Sequence, residues 1–237
     1  MKLSKKYSGV IVPAITPLTE RLQIDDTAVE KLFSTFYEQG IAPFILGTTG
    51  EAASIPFQVK KEYIHTAERI KKPGTLLYAG IGSNVMSEST SLAAYCALHG
   101  VDVLVATLPS YYSLTALQMK EYFTELANTV PLPLFIYNIP ATTHMSIPLQ
   151  LVEELSHHPN IVGIKDSERS EERLKESVDR WKSRADFHYI LGWATQSANA
   201  LLMGADGLVP STGNLYPELY AEMIRAFEKN DTALLQE

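Results

Sequence analysis

One cysteine, Cys96, stands among 237 residues. No disulfide can form within the chain, and the apolar helical neighbours in SLAAYCALHG predict a packed thiol. No run of about 18 or more apolar residues occurs, which excludes the simplest membrane-spanning helix. The stretch MKLSKKYSG carries charge without an apolar segment behind it, unlike a secretory signal. Basic charge is scarce too: 20 Lys and Arg against 27 Asp and Glu give a formal net charge of −7. The one compact basic run, RIKKPG with Arg69, Lys71 and Lys72, suits a helix C-terminus, where cations meet the negative end of the dipole. These absences predict a cytoplasmic protein with neither nucleic acid nor membrane as a partner.

What is present is an ordinary globular composition, 46% hydrophobic and 20% charged, arranged in a repeated order. Short β-branched or aliphatic runs, GVIVPAI, PFILG, TLLYAGI, DVLVAT, PLFIYN, IVGIK, FHYILG and DGLVPS, follow one another along the chain. Segments of helical period separate them, beginning near Asp25, Pro56, Ser87, Ala116, Pro148, Ser170, Gln196 and Tyr216. Such alternation marks βα units on a parallel sheet. Eight repeats predict a closed (β/α)8 TIM barrel. EQGIAPFILG, LHGVDVLVAT and LMGADGLVPS each set a glycine before a strand, so Gly40, Gly100 and Gly204 are expected to be left-handed residues ending a helix. No linker divides the chain, and we expect one barrel over residues 1–230. Residues 231–237 then begin a possible C-terminal helical extension that is otherwise absent or cut short.

Barrels of this kind carry their active sites at the C-terminal ends of the strands. That edge holds Gly47 to Glu51, Pro109 to Tyr112, Tyr137 and Asn138, Lys165 to Ser167, Gly192 to Thr195, and Ser211 to Asn214. Of six histidines, His65 falls within a helix pattern, and His99, His157, His158 and His188 fall at or before strand starts. Only His144, in ATTHMS, lies on the active edge, and one histidine with scattered carboxylates makes a poor zinc or iron site. The expected reaction uses no catalytic metal.

The turn GTTGE lacks the spacing of a dinucleotide or P-loop motif. Thr48 and Thr49, with backbone N–H groups beside Gly47 and Gly50, suit a smaller anion such as a carboxylate. The alternative is a tight turn whose threonines cap the next helix. Glu51 reads as structural, satisfying turn amides.

The run NIVGIKDSE ends an apolar strand in Lys165. One reading is a lysine that reaches solvent or pairs with Asp166. The other is a nucleophile, because Tyr137 tops the neighbouring strand about 4.8 Å away. An amine of ordinary pKa is neutral in only about one molecule in 2,500 at pH 7. Burial raises that fraction, and a phenol alongside can carry protons to and from a carbonyl partner. Asp166 is then expected to face away, since pairing would hold the amine charged.

ILGTTGE (Ile45 to Glu51), FIYNIP (Phe135 to Pro140) and IVGIKDS (Ile161 to Ser167) together resemble the dihydrodipicolinate synthase / N-acetylneuraminate lyase family of class I, pyruvate-dependent aldolases. The resemblance runs from about Tyr7 to Asn230. It implies a Schiff-base lyase, metal-independent and free of any added cofactor, that cleaves or condenses pyruvate or another 2-oxo acid with an aldehyde. In it Lys165 forms the imine, Tyr137 shuttles protons, and Thr48 and Thr49 hold the 2-oxo acid's carboxylate. It also implies that Tyr112, in LPSYYSL, is lent across a subunit interface, and hence a homo-oligomer, a dimer of dimers. An ordinary surface aromatic pair is the other reading of Tyr111 and Tyr112.

Two departures bear on the substrate. Where synthases of this family carry an arginine for a second carboxylate, this chain has Thr142, so a fork of donors is lost. Where the sialic acid lyases resemble G-Y-D-E, it reads G-W-A-T, Gly192 to Thr195. The remaining candidate lining is Thr142, Thr143, His144, Ser167, Gly192, Trp193, Thr195, Ser211 and Asn214. Ser211 and Asn214 read equally well as turn and cap residues. A dehydratase of a deoxy-sugar 2-oxo acid, and a binding barrel without turnover, are the alternative functions.

Overall fold

Every predicted strand run supplies a strand: β1 (Gly9–Pro13), β2 (Ala42–Ile45), β3 (Tyr78–Gly80), β4 (Val103–Thr107), β5 (Leu134–Asn138), β6 (Ile161–Asp166), β7 (His188–Leu191) and β8 (Gly207–Leu208). This computed structural model describes residue 3 and residues 5–236; residues 1 and 237, the outer limits of the expected segments, lie outside the described residues. The strands pair in chain order, all parallel, and β8 returns to β1 through Gly9↔Gly207 and Val10↔Leu208. The (β/α)8 barrel is therefore closed, without a free sheet edge.

Two strands are shorter than their apolar runs. Leu77 gives its N–H to the Asp102 carboxylate at 2.7 Å instead of to a neighbouring strand, so β3 starts late. β8 ends after Leu208, where its register with β7 stops.

The intervening helices are α1 (Asp26–Glu38), α2 (Phe57–Ile70), α3 (Met86–Leu98), α4 (Ala116–Thr129), α5 (Pro140–Thr143), α6 (Leu149–Leu155), α7 (Glu171–Trp181), α8 (Ser197–Met203), α9 (Pro217–Lys229) and α10 (Thr232–Gln236). Their starts follow local chemistry. Asp25 accepts from the Ala28 N–H to open α1, Ser170 accepts from Arg173 to open α7, and Thr115 with Gln118 forms a capping box at α4. Gly40, Gly100 and Gly204 have φ of 69°, 68° and 109°, the left-handed exits expected of them. The one-turn α5 was not expected; Pro140 at its start supplies a helical φ without needing a donor partner. Beyond α9, Leu235 of α10 is buried.

Alternation along the strands divides the core in two. Ile11, Phe44, Tyr78, Val105, Phe135 and Ile190 fill the barrel interior. Val12, Ile45, Leu104, Ile136, Ile164 and Leu208 face the helical shell. On α7, Leu174, Ser177, Val178 and Trp181 make the single buried stripe that a shell helix needs. Cys96 is buried in that shell, and burial pushes its thiol up to about 12, which makes it a packing residue. No helix among the described residues is long and apolar enough to cross a membrane.

Candidate active site

The strand register decides which side chains share the mouth of the barrel. Tyr137 of β5 lies opposite Lys165 of β6, and Asn138 lies opposite Asp166. Period-two alternation sends the first pair inward and the second outward. Lys165 is only 3% exposed, with its Nζ 3.8 Å from the centre of the Tyr137 ring and 4.8 Å from that of Phe44. Among the described residues no carboxylate pairs with it, and two aromatic faces flank it. Burial is the main cause that holds its amine below the usual lysine range, with the Tyr137 phenol pulling the other way. The aromatic faces soften this cost through cation–π attraction, yet the shift remains downward.

Burial pushes the Tyr137 phenol up, but the Lys165 ammonium and hydrogen bonding from Thr48, Lys165 and Ser167 outweigh it and bring the phenol below its ordinary value. The Tyr137 hydroxyl lies 3.4 Å from Thr48 Oγ1. Amine and phenol thus compete for protons as one coupled pair, an arrangement suited to passing a proton rather than storing it.

Thr48 is presented by a turn that starts immediately after β2, where Leu46 takes a left-handed φ of 55°. Glu51 donates its N–H to Thr48 O at 3.0 Å, and Ala52 donates to Gly47 O at 3.3 Å. The turn is tied to the first strand's exit by Thr16, whose hydroxyl donates to Gly50 O at 2.6 Å. The backbone N–H groups of Thr48 and Thr49 find no backbone acceptor among the described residues, which leaves them available to an anion. The Glu51 side chain is exposed and borders the cleft; Thr16, rather than Glu51, braces the turn, which corrects the expected role of that glutamate.

Behind the mouth, Asp166 faces away from the amine as expected. Its carboxylate accepts from Asn138 Nδ2 at 2.8 Å, the Glu168 N–H at 3.0 Å and Arg173 Nε at 2.7 Å. Asn138 also donates to Glu168 at 3.0 Å and accepts from the Ile147 N–H at 3.0 Å. Burial pushes the Asp166 carboxyl up against the opposing pull of Arg173 and Asn138. Tyr137 and Lys165 are therefore each followed in sequence by a member of a buried polar network, Asn138 and Asp166, that fixes the ends of β5 and β6.

The mouth opens into a cleft of about 630 Å³ whose wall includes Phe44, Gly47, Thr48, Tyr137, Thr142 and Thr143. It continues past Gly82, Asn84 and Thr107 toward Lys60 and Glu88. Ser167 and Gly192 touch: a Cβ on Gly192 would force Ser167 Oγ to turn away and would sit 3.1 Å from Ser167 Cβ and 3.3 Å from Asp166 O, so a side chain there would disturb Ser167. Thr49 is half-buried in its turn. His144 ends α5 at a left-handed φ of 57° and is exposed. Trp193 packs against the outer core, while Ser211 and Thr195 are exposed. These four, like Lys165, Thr49, Ser167 and Gly192, lie outside the stretch of wall that bounds this cleft.

Asn214 ties the turn after β8 to β1, donating to Pro13 O and Ser211 O and accepting from the Ile15 N–H. It is the turn residue of the two readings left open. Tyr112 is 75% exposed and packs edge-on against Tyr111 at 4.8 Å. Sequence reasoning missed Phe44, Thr107 and Arg173. Phe44 carried a usable signal, since strand parity puts it inward one turn of pleat below Gly47's loop.

Fold and site together define a (β/α)8 barrel enzyme whose strand ends hold a buried amine against a phenol. The chain belongs to the dihydrodipicolinate synthetase family of carbon–carbon lyases, matching it over residues 6–237. It is similar to a probable 2-dehydro-3-deoxy-D-pentonate aldolase of Escherichia coli (strain K12), 29% identical over 232 residues that cover 97% of this chain and 77% of that one. A 4-hydroxy-tetrahydrodipicolinate synthase of Helicobacter acinonychis (strain Sheeba) is 31% identical over 229 residues, covering 92% and 74%. Among solved structures, YagE, a prophage protein of Escherichia coli K12 in complex with pyruvate, matches with a TM-score of 0.93 at 27% identity, covering 97% of this chain and 78% of that one.

Proposed function

We propose that the protein cleaves, or in reverse assembles, a 2-dehydro-3-deoxy sugar acid, with pyruvate and a hydroxyaldehyde as the two halves, through an imine on Lys165. The observation that carries this reading is the buried amine of Lys165, set against Tyr137 and without a carboxylate partner among the described residues. In the reaction, Lys165 Nζ adds to C2 of the 2-oxo acid, and the carbinolamine loses water to leave a protonated imine. The imine withdraws electrons from the C3–C4 bond. That bond breaks as the C4 hydroxyl gives up its proton, which releases the aldehyde and an enamine. The enamine takes a proton at C3, and water then hydrolyses the imine to free pyruvate and the amine.

Burial keeps a useful fraction of Lys165 neutral. Tyr137, coupled to Thr48, carries the protons that leave and return. The free N–H groups of the Thr48–Thr49 turn hold the carboxylate. Thr107, Thr142 and Thr143 give the cleft beside Tyr137 hydroxyl groups without a guanidinium. That lining suits a hydroxylated aldehyde better than a second carboxylate, in keeping with the name of the Escherichia coli aldolase relative. Tyr112, exposed at the same edge of the barrel, is assigned to a neighbouring subunit's site.

Pyruvate and borohydride, followed by intact mass measurement, test the proposal. Wild type should gain one reduced pyruvate adduct and Lys165→Ala none, while Tyr137→Phe should form the adduct about 10²–10⁴-fold more slowly. Failure of wild type to trap any 2-oxo acid would end the imine reading. Incubation with 2-dehydro-3-deoxy sugar acids should release pyruvate; release of water with the carbon chain intact would instead identify a dehydratase.

A further inference from the structure

Three residues that the sequence scatters meet at the other end of the barrel. His65 and Glu68 lie three apart on α2, on one face of the helix, and His99 follows the last residue of α3. Packing of α2 against α3 brings them together. Glu68 Oε2 is 2.7 Å from His99 Nδ1 and 3.5 Å from His65 Nδ1. The two imidazoles are 5.6 Å apart, edge to face. One donor atom from each of the three lies within 4.8 Å of the other two. We propose that His65, Glu68 and His99 form a binding site for one divalent d-block cation, of the zinc type, that clasps the C-terminal end of α2 to the turn between α3 and β4.

The donor set fits that class of ion. Two imidazole nitrogens and one carboxylate oxygen are borderline ligands that suit zinc, nickel or copper better than magnesium or calcium. Tetrahedral ligands at zinc bond lengths sit about 3.3 Å from one another. Two sides of the observed triangle, 2.7 and 3.5 Å, already bracket that spacing, and the third is within 4.8 Å. Water would occupy the fourth position.

The surroundings hold the ligands in place. His99 stacks on Tyr95 with ring centres 4.1 Å apart, which limits rotation of its imidazole. Its backbone N–H donates to Cys96 O, and Gly100 turns the chain away at φ 68°. Lys71, at the end of α2, donates to Gly100 O at 2.7 Å and pairs with Asp102 at 2.6 Å. The two segments that supply ligands are thus already fastened to each other, which lowers the ordering cost of closing the site. Glu68 Oε2 already stands between the two imidazoles, so a cation that takes one ring nitrogen from each histidine meets the carboxylate oxygen beside them.

Calorimetric titration of the chelator-treated, full-length protein with Zn²⁺ tests the site. Wild type should take up one equivalent saturably, with a higher thermal midpoint. His65→Ala and His99→Ala should each weaken uptake at least about tenfold, and Glu68→Gln should do the same. His157→Ala, which removes a histidine beside Glu153, should leave it unchanged. Thermal midpoints of all variants in chelator verify that each is folded. Absence of saturable uptake by wild type, or equal uptake by the His65→Ala/His99→Ala double variant, would overturn the proposal.

Discussion

Lys165 is the residue for which stability and function pull apart. Its amine sits below the usual lysine range because burial disfavours the ammonium, so folding expels a proton over the interval between the folded and unfolded values. The cost to stability is full at pH below the folded value and disappears above the unfolded value near 10.5. Lys165→Met should therefore raise the thermal midpoint at neutral pH by a few degrees, about 2–4 °C for each ~1 kcal/mol at this chain length. The gain should narrow as pH approaches 10.5. Calorimetric scans of both proteins across pH check this, and a variant less stable than wild type at every pH would show that the lysine is instead a net stabiliser. Asp166, one residue on, shows why charge alone did not decide the matter. A side chain adjacent in sequence to the amine faces the opposite side of the sheet.

The paired ends of β5 and β6 are where an element, rather than a residue, sets the site. Tyr137 and Lys165 meet because the register holds, and the register holds at its outer end through Asn138, Asp166 and Arg173. Removing the guanidinium leaves a carboxylate that is 1% exposed without its compensating charge. Arg173→Met should cost about 3–5 kcal/mol at pH 7, read from urea unfolding. Burial already pushes the Asp166 carboxyl up, and without Arg173 it rises further. The buried acid then takes up its proton on folding as pH falls, so the deficit should shrink toward acid pH. A loss that stayed constant down to pH 4, a value near the ordinary carboxylate range, would place the effect in packing instead. The same logic of two elements holding residues apart in sequence applies to His65, Glu68 and His99 on the shell.

For the whole molecule, the prominent surface feature is Tyr111 and Tyr112, 78% and 75% exposed. Large aromatic side chains left out of a chain's own core commonly anchor interfaces. If Tyr112 serves a partner's site, Tyr112→Phe should slow turnover at least about tenfold without disturbing the fold. Subunit exchange between Tyr112→Phe and Lys165→Ala proteins, each impaired alone, should then restore turnover, because mixed assemblies contain a site with one intact Lys165 and one intact Tyr112. Sedimentation at several concentrations supplies the assembly state. An active monomer, or mixtures no better than their parts, would remove Tyr112 from the mechanism.

The order and kind of elements were legible along the chain, since apolar period and turn residues act locally. Eight strand runs, the helix starts and three left-handed glycines all follow from side chains within a few residues of one another. Lys165, Tyr137 and the GTTGE turn could be nominated because barrel topology assigns strand ends to one edge before any contact is known. What lay beyond the sequence were properties of contact. Phe44 beneath the amine and Thr16 bracing the turn depend on register and helix packing, which join residues tens of positions apart. Sequence by itself determined the barrel and its chemical candidates, because short-range periodicity encodes those. Only the tertiary structure decided that the lysine is buried and, among the described residues, unpaired with a carboxylate, because burial and pairing are set by neighbours that the chain brings from elsewhere.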